Sequence, residues 1–405
     1  METRLLPEIL QQPDGPLAEE ILRACVHCGF CNATCPTYQL LGDELDGPRG
    51  RIYQIKQLLE GGPATETTLT HLDRCLTCRN CETTCPSGVR YARLLDMGRR
   101  QLERRVRRPW FERLKREGLR RFLLTPALFN TTVRLASGLR AMLPDSLRRQ
   151  LPKPGTDKSR PEQRHGRRML LLEGCVQPAL APEINAATAR VLDRLGISLV
   201  SVPQAGCCGA VSWHLGKEAE GLAAMRRNID AWWPEIEAGV EAIVITASGC
   251  GVMVKEYGDC LAHDPEYADK AARVSALARD IAEVVAGEDI SAWHHRESRH
   301  IAFHPPCTLQ HGQRLVGVVE DILSRMGFEL TPVQNAHLCC GSAGTYSLLQ
   351  PEIAGRLRDD KLRNLRAGDP ELIATANIGC QTHLAGGTSL PIVHWITLLD
   401  DWMAV

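Results

Sequence analysis

Eight cysteines in the first quarter of the chain stand in two copies of one pattern. Cys25, Cys28, Cys31 and Cys35 are followed by Pro36, and Cys75, Cys78, Cys81 and Cys85 by Pro86, so both runs read C-x2-C-x2-C-x3-C-P. Three thiolates at those intervals wrap one face of a [4Fe–4S] cube. The proline turns the chain away, and in two-cluster proteins the fourth Cys ligates the neighbouring cube. The spacing therefore assigns Cys25, Cys28, Cys31 and Cys85 to one cluster, and Cys35, Cys75, Cys78 and Cys81 to the other. Structural zinc asks for four ligands, usually as two separated C-x2-C pairs, which these runs fit poorly. His27 and Arg79, inside the runs, read as neighbours that shift the cluster potential and not as ligands.

A second pattern occupies the other half. Cys175, Cys207, Cys208 and Cys250 are answered by Cys307, Cys339, Cys340 and Cys380, with Gly209 and Gly341 after the paired cysteines. Cys175 to Cys207 and Cys307 to Cys339 are both 32 positions; Cys208 to Cys250 is 42 and Cys340 to Cys380 is 40. Such regularity marks two copies of one supersecondary unit. Four converging thiolates per copy could hold a third iron–sulfur cluster, zinc, or a redox-active dithiol. Of 17 cysteines only Cys260 is left over, and it reads as a small buried apolar residue.

These residues must be positioned by definite elements. Between the front motifs, Arg49–Glu60 carries Ile52, Ile55, Leu58 and Leu59 on one helical face, with Pro48 before it and Gly61-Gly62 after it. Residues 19–24 and the stretch around Leu69 and Leu72 also read as helix, so the front half is of the α-helical ferredoxin type. From residue 169 the pattern becomes strand–helix–strand: strands near 169–174, 197–202 and 242–246, then 300–304, 328–333 and 372–375; helices at 183–195, 210–238, 316–326 and 351–366. This alternation implies parallel α/β units with the cysteines just past strand ends, where open α/β sheets place their sites. Glycine after each Cys-Cys pair allows a tight turn against a bulky inorganic group. The expected domains are 1–98 (α-helical ferredoxin type, two clusters), 99–168 (basic helical segment and Pro-rich linker), 169–290 and 291–405 (two repeated α/β cysteine-rich units).

Formal net charge is zero, yet residues 1–168 hold 30 Lys/Arg against 19 Asp/Glu, and residues 169–405 hold 18 against 29. Surfaces of opposite sign suit each other or partner subunits; no nucleic-acid motif accompanies the basic half. Residues 97–143 interleave many arginines with Trp110, Phe111, Leu114, Leu119, Phe122 and Leu123. This is either a scaffold with a solvated or subunit-facing Arg face, the favoured reading, or a peripheral contact with an anionic membrane. There is no signal-peptide h-region and no apolar run near 18 residues. Thiols in such number point to the reducing cytosol.

With both signatures in place, the chain resembles the iron–sulfur subunits of bacterial glycolate oxidase (glycolate dehydrogenase). The resemblance runs essentially end to end. It rests on Arg23–Cys31, on Gly42–Ile52, on Thr246–Gly251 and on Cys339–Tyr346. The wider superfamily shares the CCG repeat. It includes the CCG-bearing polypeptide of heterodisulfide reductase, the iron–sulfur polypeptide of the anaerobic glycerol-3-phosphate dehydrogenase and the lactate-utilisation proteins. The full CCG signature ends in C-x2-C; here Met253 and His383 stand at its last positions. The resemblance implies an electron-transfer subunit that passes electrons from FAD-containing partner subunits through two [4Fe–4S] clusters to an acceptor, such as a membrane quinone. The reaction would be oxidation of glycolate, or another 2-hydroxy acid such as D-lactate, to glyoxylate or its analogue. The chain shows no G-x-G-x-x-G after a strand and no general-base constellation, so no substrate site of its own and no catalytic residue is expected. Alternatives are a lactate or glycerol-3-phosphate dehydrogenase subunit, a heterodisulfide-reductase-like protein, or a zinc-loaded scaffold. Protein purified without oxygen should be brown and carry at least the iron of two cubes; colourless, iron-free, zinc-loaded protein would contradict the assignment.

Overall fold

The computed structural model describes residues 1–152, 156, 158–293 and 298–403. The front of the chain is helical, and no strand occurs among its described residues before Arg167. Helix Pro48–Leu59 buries Ile52, Ile55, Leu58 and Leu59 against Leu94, Leu95 and Leu102 of helix Tyr91–Arg105. Each such side chain contributes about 1.5–3 kcal/mol on burial. Helices Gly15–Ala24 and Glu66–Asp73 complete this core and deliver Cys25 and Cys75 at their ends. Helix Tyr91–Arg105 runs straight through residue 98, so the front unit and the basic segment share one element.

The basic segment forms helices Trp110–Leu124 and Pro126–Gly138. Part of its Arg face is a scaffold. Arg108 pairs with both oxygens of Asp73 at 2.6 and 3.0 Å, Arg116 with Asp73 at 2.6 Å, and Arg120 with Glu117 and with Glu220 of the first repeat. The stretch expected as a linker is tied down at several points. Arg160 binds Glu173, and Arg164 and His165 bind Asp193. Of this linker, residues 153–155 and 157, which include Pro154, lie outside the described residues.

Each repeat is a four-stranded, wholly parallel sheet. In the first, β1 (Arg167–Leu171), β2 (Ile197–Ser201), β3 (Ile243–Ile245) and β4 (Ala278–Asp280) run in the order β2-β1-β3-β4. In the second, β5 (His300–His304), β6 (Glu329–Leu330), β7 (Leu372–Thr375) and β8 (Ile392–His394) run β6-β5-β7-β8. Two corrections follow for the expected strands. The fourth strand of each repeat has only three residues and leads straight into a helix, too short to register as a periodic run. The strand expected over 328–333 is reduced to two residues, because the chain leaves the sheet early towards the paired cysteines.

The repeats interlock. After β4, helix Ile281–Ala286 packs on helix Val318–Arg325 of the second repeat; after β8, helix Trp395–Met403 packs on helix Pro182–Arg194 of the first. Each unit thus lends its last helix to the other. A single core results, with Ile184, Val191, Ile281, Ile322, Leu323, Ile396 and Leu399 all in it. Asp400, on the exchanged helix, binds Arg190 at 2.6 Å and Arg194 at 2.8 Å.

Asp280 sits in this seam. It caps helix Ile281–Ala286 by accepting from the Ala282 N–H at 3.0 Å, and its other oxygen accepts from Gln313 of the second repeat at 2.9 Å. Burial raises its pKa to about 6, against about 3.9 in the unfolded chain. A raised carboxyl pKa stabilises the fold below the unfolded value and loses that contribution as pH rises through the folded one. Replacing Asp280 by Asn, which can still cap, should therefore make the variant progressively more stable than the parent between about pH 4 and 6. The gain should reach about 3 kcal/mol. A stability difference that does not change with pH, measured by denaturant titration, would contradict this.

Candidate iron–sulfur and metal centres

The two front motifs fold alike. His27 and Gly29 in the first, and Thr77 and Arg79 in the second, all have positive φ, at 60°, 87°, 53° and 61°. The alternation curls each loop so that its sulfurs face one pocket. Gly29 adopts this left-handed conformation without strain, and a Cβ there would have to push the Arg49 guanidinium aside, 2.5 Å away. At the equivalent place Arg79 accepts a left-handed conformation that costs about 1–2 kcal/mol. Its guanidinium is fixed by Glu256 of the first repeat, 2.7 Å away.

One pocket is lined by Cys25, Cys28, Cys31 and Cys85, the other by Cys35, Cys75 and Cys78, and Cys81 lines both. The structure thus brings the fourth cysteine of each run to the pocket of the other. Cys28 is exposed and Cys31 half-buried, with Val26 and Phe30 beside them 66 % and 61 % exposed. The second pocket is deep. Burial, together with Cys307 and Cys35, pushes the Cys78 thiol well up; burial and its neighbour Cys78 do the same to Cys81. Such a donor set fits a polynuclear iron centre, whose positive charge offsets the burial of several thiolates.

Beneath the second pocket lies a buried ionic network. Asp46, fully buried, is bound by Arg51, by His71 at 3.0 Å and by Arg74 at 2.8 Å. Arg51, 1 % exposed, also donates to the His71 carbonyl at 2.8 Å and to Thr37 Oγ1 at 3.1 Å. Thr37 follows Cys35 and His71 precedes Cys75, so the network locks together the two segments that share this pocket. The Tyr91 hydroxyl donates to Cys75 Sγ at 3.6 Å and the Thr77 N–H at 3.4 Å.

In both repeats the cysteines gather beyond the carboxyl ends of the central strands. Cys175, Cys207, Cys208 and Cys250 are neighbours in series, as are Cys307, Cys339, Cys340 and Cys380. Cys307 and Cys339 stand 3.7 Å apart. Gly209 and Gly341 have φ of 92° and 90°, and a Cβ on them would lie 2.9 and 2.6 Å from the carbonyls of Gly221 and Ala354. The close approach that these glycines permit is therefore to the following helix. In the first repeat, hydrogen bonds from Cys175 and Cys208 and from the Gly209 N–H, at 3.4 Å, push the Cys207 thiol well down from its usual range. Met253 is core, and His383 bonds the Ala354 carbonyl at 3.2 Å, so both positions that depart from C-x2-C serve packing. Cys260 is half-buried and accepts from Arg93 at 3.4 Å, and burial lifts its pKa to about 12.

The second repeat abuts the deep front pocket. Cys78 lies against Cys307 and Cys339, the Asn80 side chain donates to the His337 carbonyl at 3.1 Å, and the Tyr346 hydroxyl to the Arg74 carbonyl at 3.0 Å. Two residues here escape sequence reasoning. Lys361, buried, donates to the Asn335 and Ala336 carbonyls at 2.7 and 3.2 Å beside the four cysteines. His304, 1 % exposed, ends β5 close to Cys340 and Cys380. Its position three residues before Cys307 was the available signal.

A helical two-cluster unit seated on paired cysteine-rich α/β repeats is the architecture of an iron–sulfur electron-transfer protein. Residues 21–89 match the 4Fe-4S dicluster domain family, and residues 169–255 and 301–385 match the cysteine-rich CCG domain. The chain is 58 % identical over 402 residues, 99 % of both chains, to the glycolate oxidase iron–sulfur subunit of Escherichia coli. It is 31 % identical to a probable glycolate oxidase iron–sulfur subunit of Bacillus subtilis, across 88 % of this chain and 86 % of that one. It therefore belongs to the family of glycolate oxidase iron–sulfur subunits. Lactate utilization protein A of Geobacillus kaustophilus is 29 % identical over 240 residues, 56 % of this chain and 95 % of that one. A solved hypothetical protein from Helicobacter pylori shares the fold, with a TM-score of 0.53 at 10 % identity over 98 % of this chain and 73 % of that one.

Arg51→Met should cost about 3 kcal/mol, because Asp46 stays buried with a lost partner. It should also lower the potential of the deep centre while leaving the exposed one unchanged. Chemical denaturation and a redox titration followed by EPR check both; an unshifted potential would show that Arg51 acts only on folding.

Proposed function

We propose that this chain carries electrons within a glycolate-oxidising complex, with Cys25, Cys28, Cys31 and Cys85 holding one [4Fe–4S] cluster and Cys35, Cys75, Cys78 and Cys81 the other. Bound there, the clusters supply one-electron carriers at two successive positions. FAD-containing partner subunits take two electrons and two protons from glycolate, or from another 2-hydroxy acid such as D-lactate, and release glyoxylate or the matching 2-oxo acid. Single electrons then reach this chain on the side of Cys28. The observation that carries this reading is the serial placement of the sites: an exposed sulfur set, a buried one, and the second repeat pressed against Cys78. The apolar rim of Val26, Phe30 and Tyr53 around Cys28 suits the flavoprotein, whose contact would exclude water from the transfer path.

The outgoing side faces an acceptor that we take to be a membrane quinone. No helix among the described residues is long and apolar enough to cross a membrane. The helical pair of residues 110–138 nevertheless exposes Trp110, Phe111, Leu114, Leu128 and Leu135 beside Arg113, Lys115 and Arg134. That combination supports peripheral attachment to the anionic inner face of the cell membrane. Glycolate should reduce the EPR-detectable clusters of the co-purified complex. Phe30→Asp should weaken flavoprotein binding at least about tenfold. Failure of any flavoprotein to co-purify, together with clusters silent to glycolate, would contradict this function.

A further inference from the structure

The two repeats are alike in cysteines and unlike in what surrounds them. Counting back three residues from Cys175 and Cys307 puts Leu172 and His304 in equivalent places. Gly221 and Ala354 occupy equivalent places under the Cys-Cys-Gly turns. Seven residues beyond them lie Asn228 and Lys361. The first repeat thus presents an apolar side chain and an amide where the second presents an imidazole and an ammonium.

His304 is 1 % exposed, and neither of its ring nitrogens has a hydrogen-bond partner. An imidazole so buried loses several kcal/mol of hydration with nothing in return. The thiols beside it offer no strong compensation, since S–H is a weak donor and sulfur a weak acceptor. What the ring does have is geometry: a His304 nitrogen and the sulfurs of Cys340 and Cys380 lie within 4.8 Å of one another. Cys307 and Cys339, which both act on Cys340, have their sulfurs 3.7 Å apart. Two sulfurs bound at about 2.3 Å to one tetrahedral ion stand about 3.8 Å apart. The site is therefore preshaped for ligands that share a metal atom.

We propose that His304 is a metal ligand, so that the second repeat holds its metal centre through nitrogen and sulfur while the first repeat presents sulfur alone. This rests on reading the repeats as metal sites. Imidazole is neutral where thiolate is anionic, and Lys361 adds a positive charge nearby. A redox-active centre with this shell sits at higher potential than its all-sulfur counterpart, as His-for-Cys ligation does in other iron–sulfur centres. Its contact with Cys78 makes the second repeat the downhill step from the deep front cluster. A zinc centre with the same shell would leave the nitrogen ligand in place and remove the redox role.

The test uses the full chain purified anaerobically in its complex. Total iron and zinc are compared for the parent, His304→Leu, His304→Cys and Cys340→Ser. Nitrogen coordination is read by pulsed EPR if the extra metal is iron, or by zinc-edge X-ray absorption if it is zinc. The parent should carry metal beyond that of two cubes, with a histidine-nitrogen signature. His304→Leu and Cys340→Ser should lose the same metal and keep both front-cluster EPR signals, which also report that the chain has folded. His304→Cys should keep the metal and lose the nitrogen signature. Extra metal without a nitrogen signature in the parent, or an unchanged signature in His304→Cys, overturns the assignment of His304 alone. No metal beyond the two cubes overturns the reading of the repeats as metal sites as well.

Discussion

Gathering thiolates inside a protein is unfavourable twice over: each loses its hydration, and each repels the next. In the deep front pocket burial pushes the Cys78 and Cys81 thiols up, and in the second repeat the hydrogen bond with Cys339, then burial, does the same to Cys307. Metal reverses the sign of the interaction, releasing protons and converting mutual repulsion into ligation. The remaining architecture supplies what local sequence cannot, namely sulfurs distant in the chain held at one point. In the front unit that is done by helices ending on cysteines and by left-handed loop residues. In the repeats it is done by parallel strands that end at a common edge.

Fixed charge is distributed around these centres unevenly. Arg51 and Arg79 line the deep front pocket, each bound to a carboxylate, so each is held in place without being free to move towards solvent. Lys361 donates to carbonyls beside the second repeat's cysteines, where burial pulls its pKa down. The first repeat has Asn228 there, bonding the Cys207 carbonyl and the Gly206 N–H. An internal duplication that kept the ligand spacing has thus diverged in the residues that set charge.

Much of this was legible in the sequence because the relevant signals are local or periodic. Helix Pro48–Leu59 shows its apolar face over three turns, and the two cysteine patterns announce themselves by spacing alone. Strand β7 shows a continuous apolar run, whereas β4 and β8 are too short for any period to develop. The exchange of terminal helices between repeats is invisible in sequence, since Ile281–Ala286 and Trp395–Met403 look like ordinary amphipathic ends. The Asp46 network was hidden for another reason: Asp, Arg and His at 46, 51 and 71 resemble surface residues until the fold seals them in. His304 carried a faint signal, a titratable residue closing an apolar strand just before a ligand-type cysteine.

Freeze-quench EPR of the intact complex after mixing with glycolate tests the serial path most directly. In the parent, the exposed cluster should be reduced first and the buried cluster after it. In Cys28→Ser, with the exposed cluster lost or altered, the buried cluster should remain assembled but be reduced far more slowly. Reduction of the buried cluster at the parental rate in that variant would contradict a path that begins at Cys28.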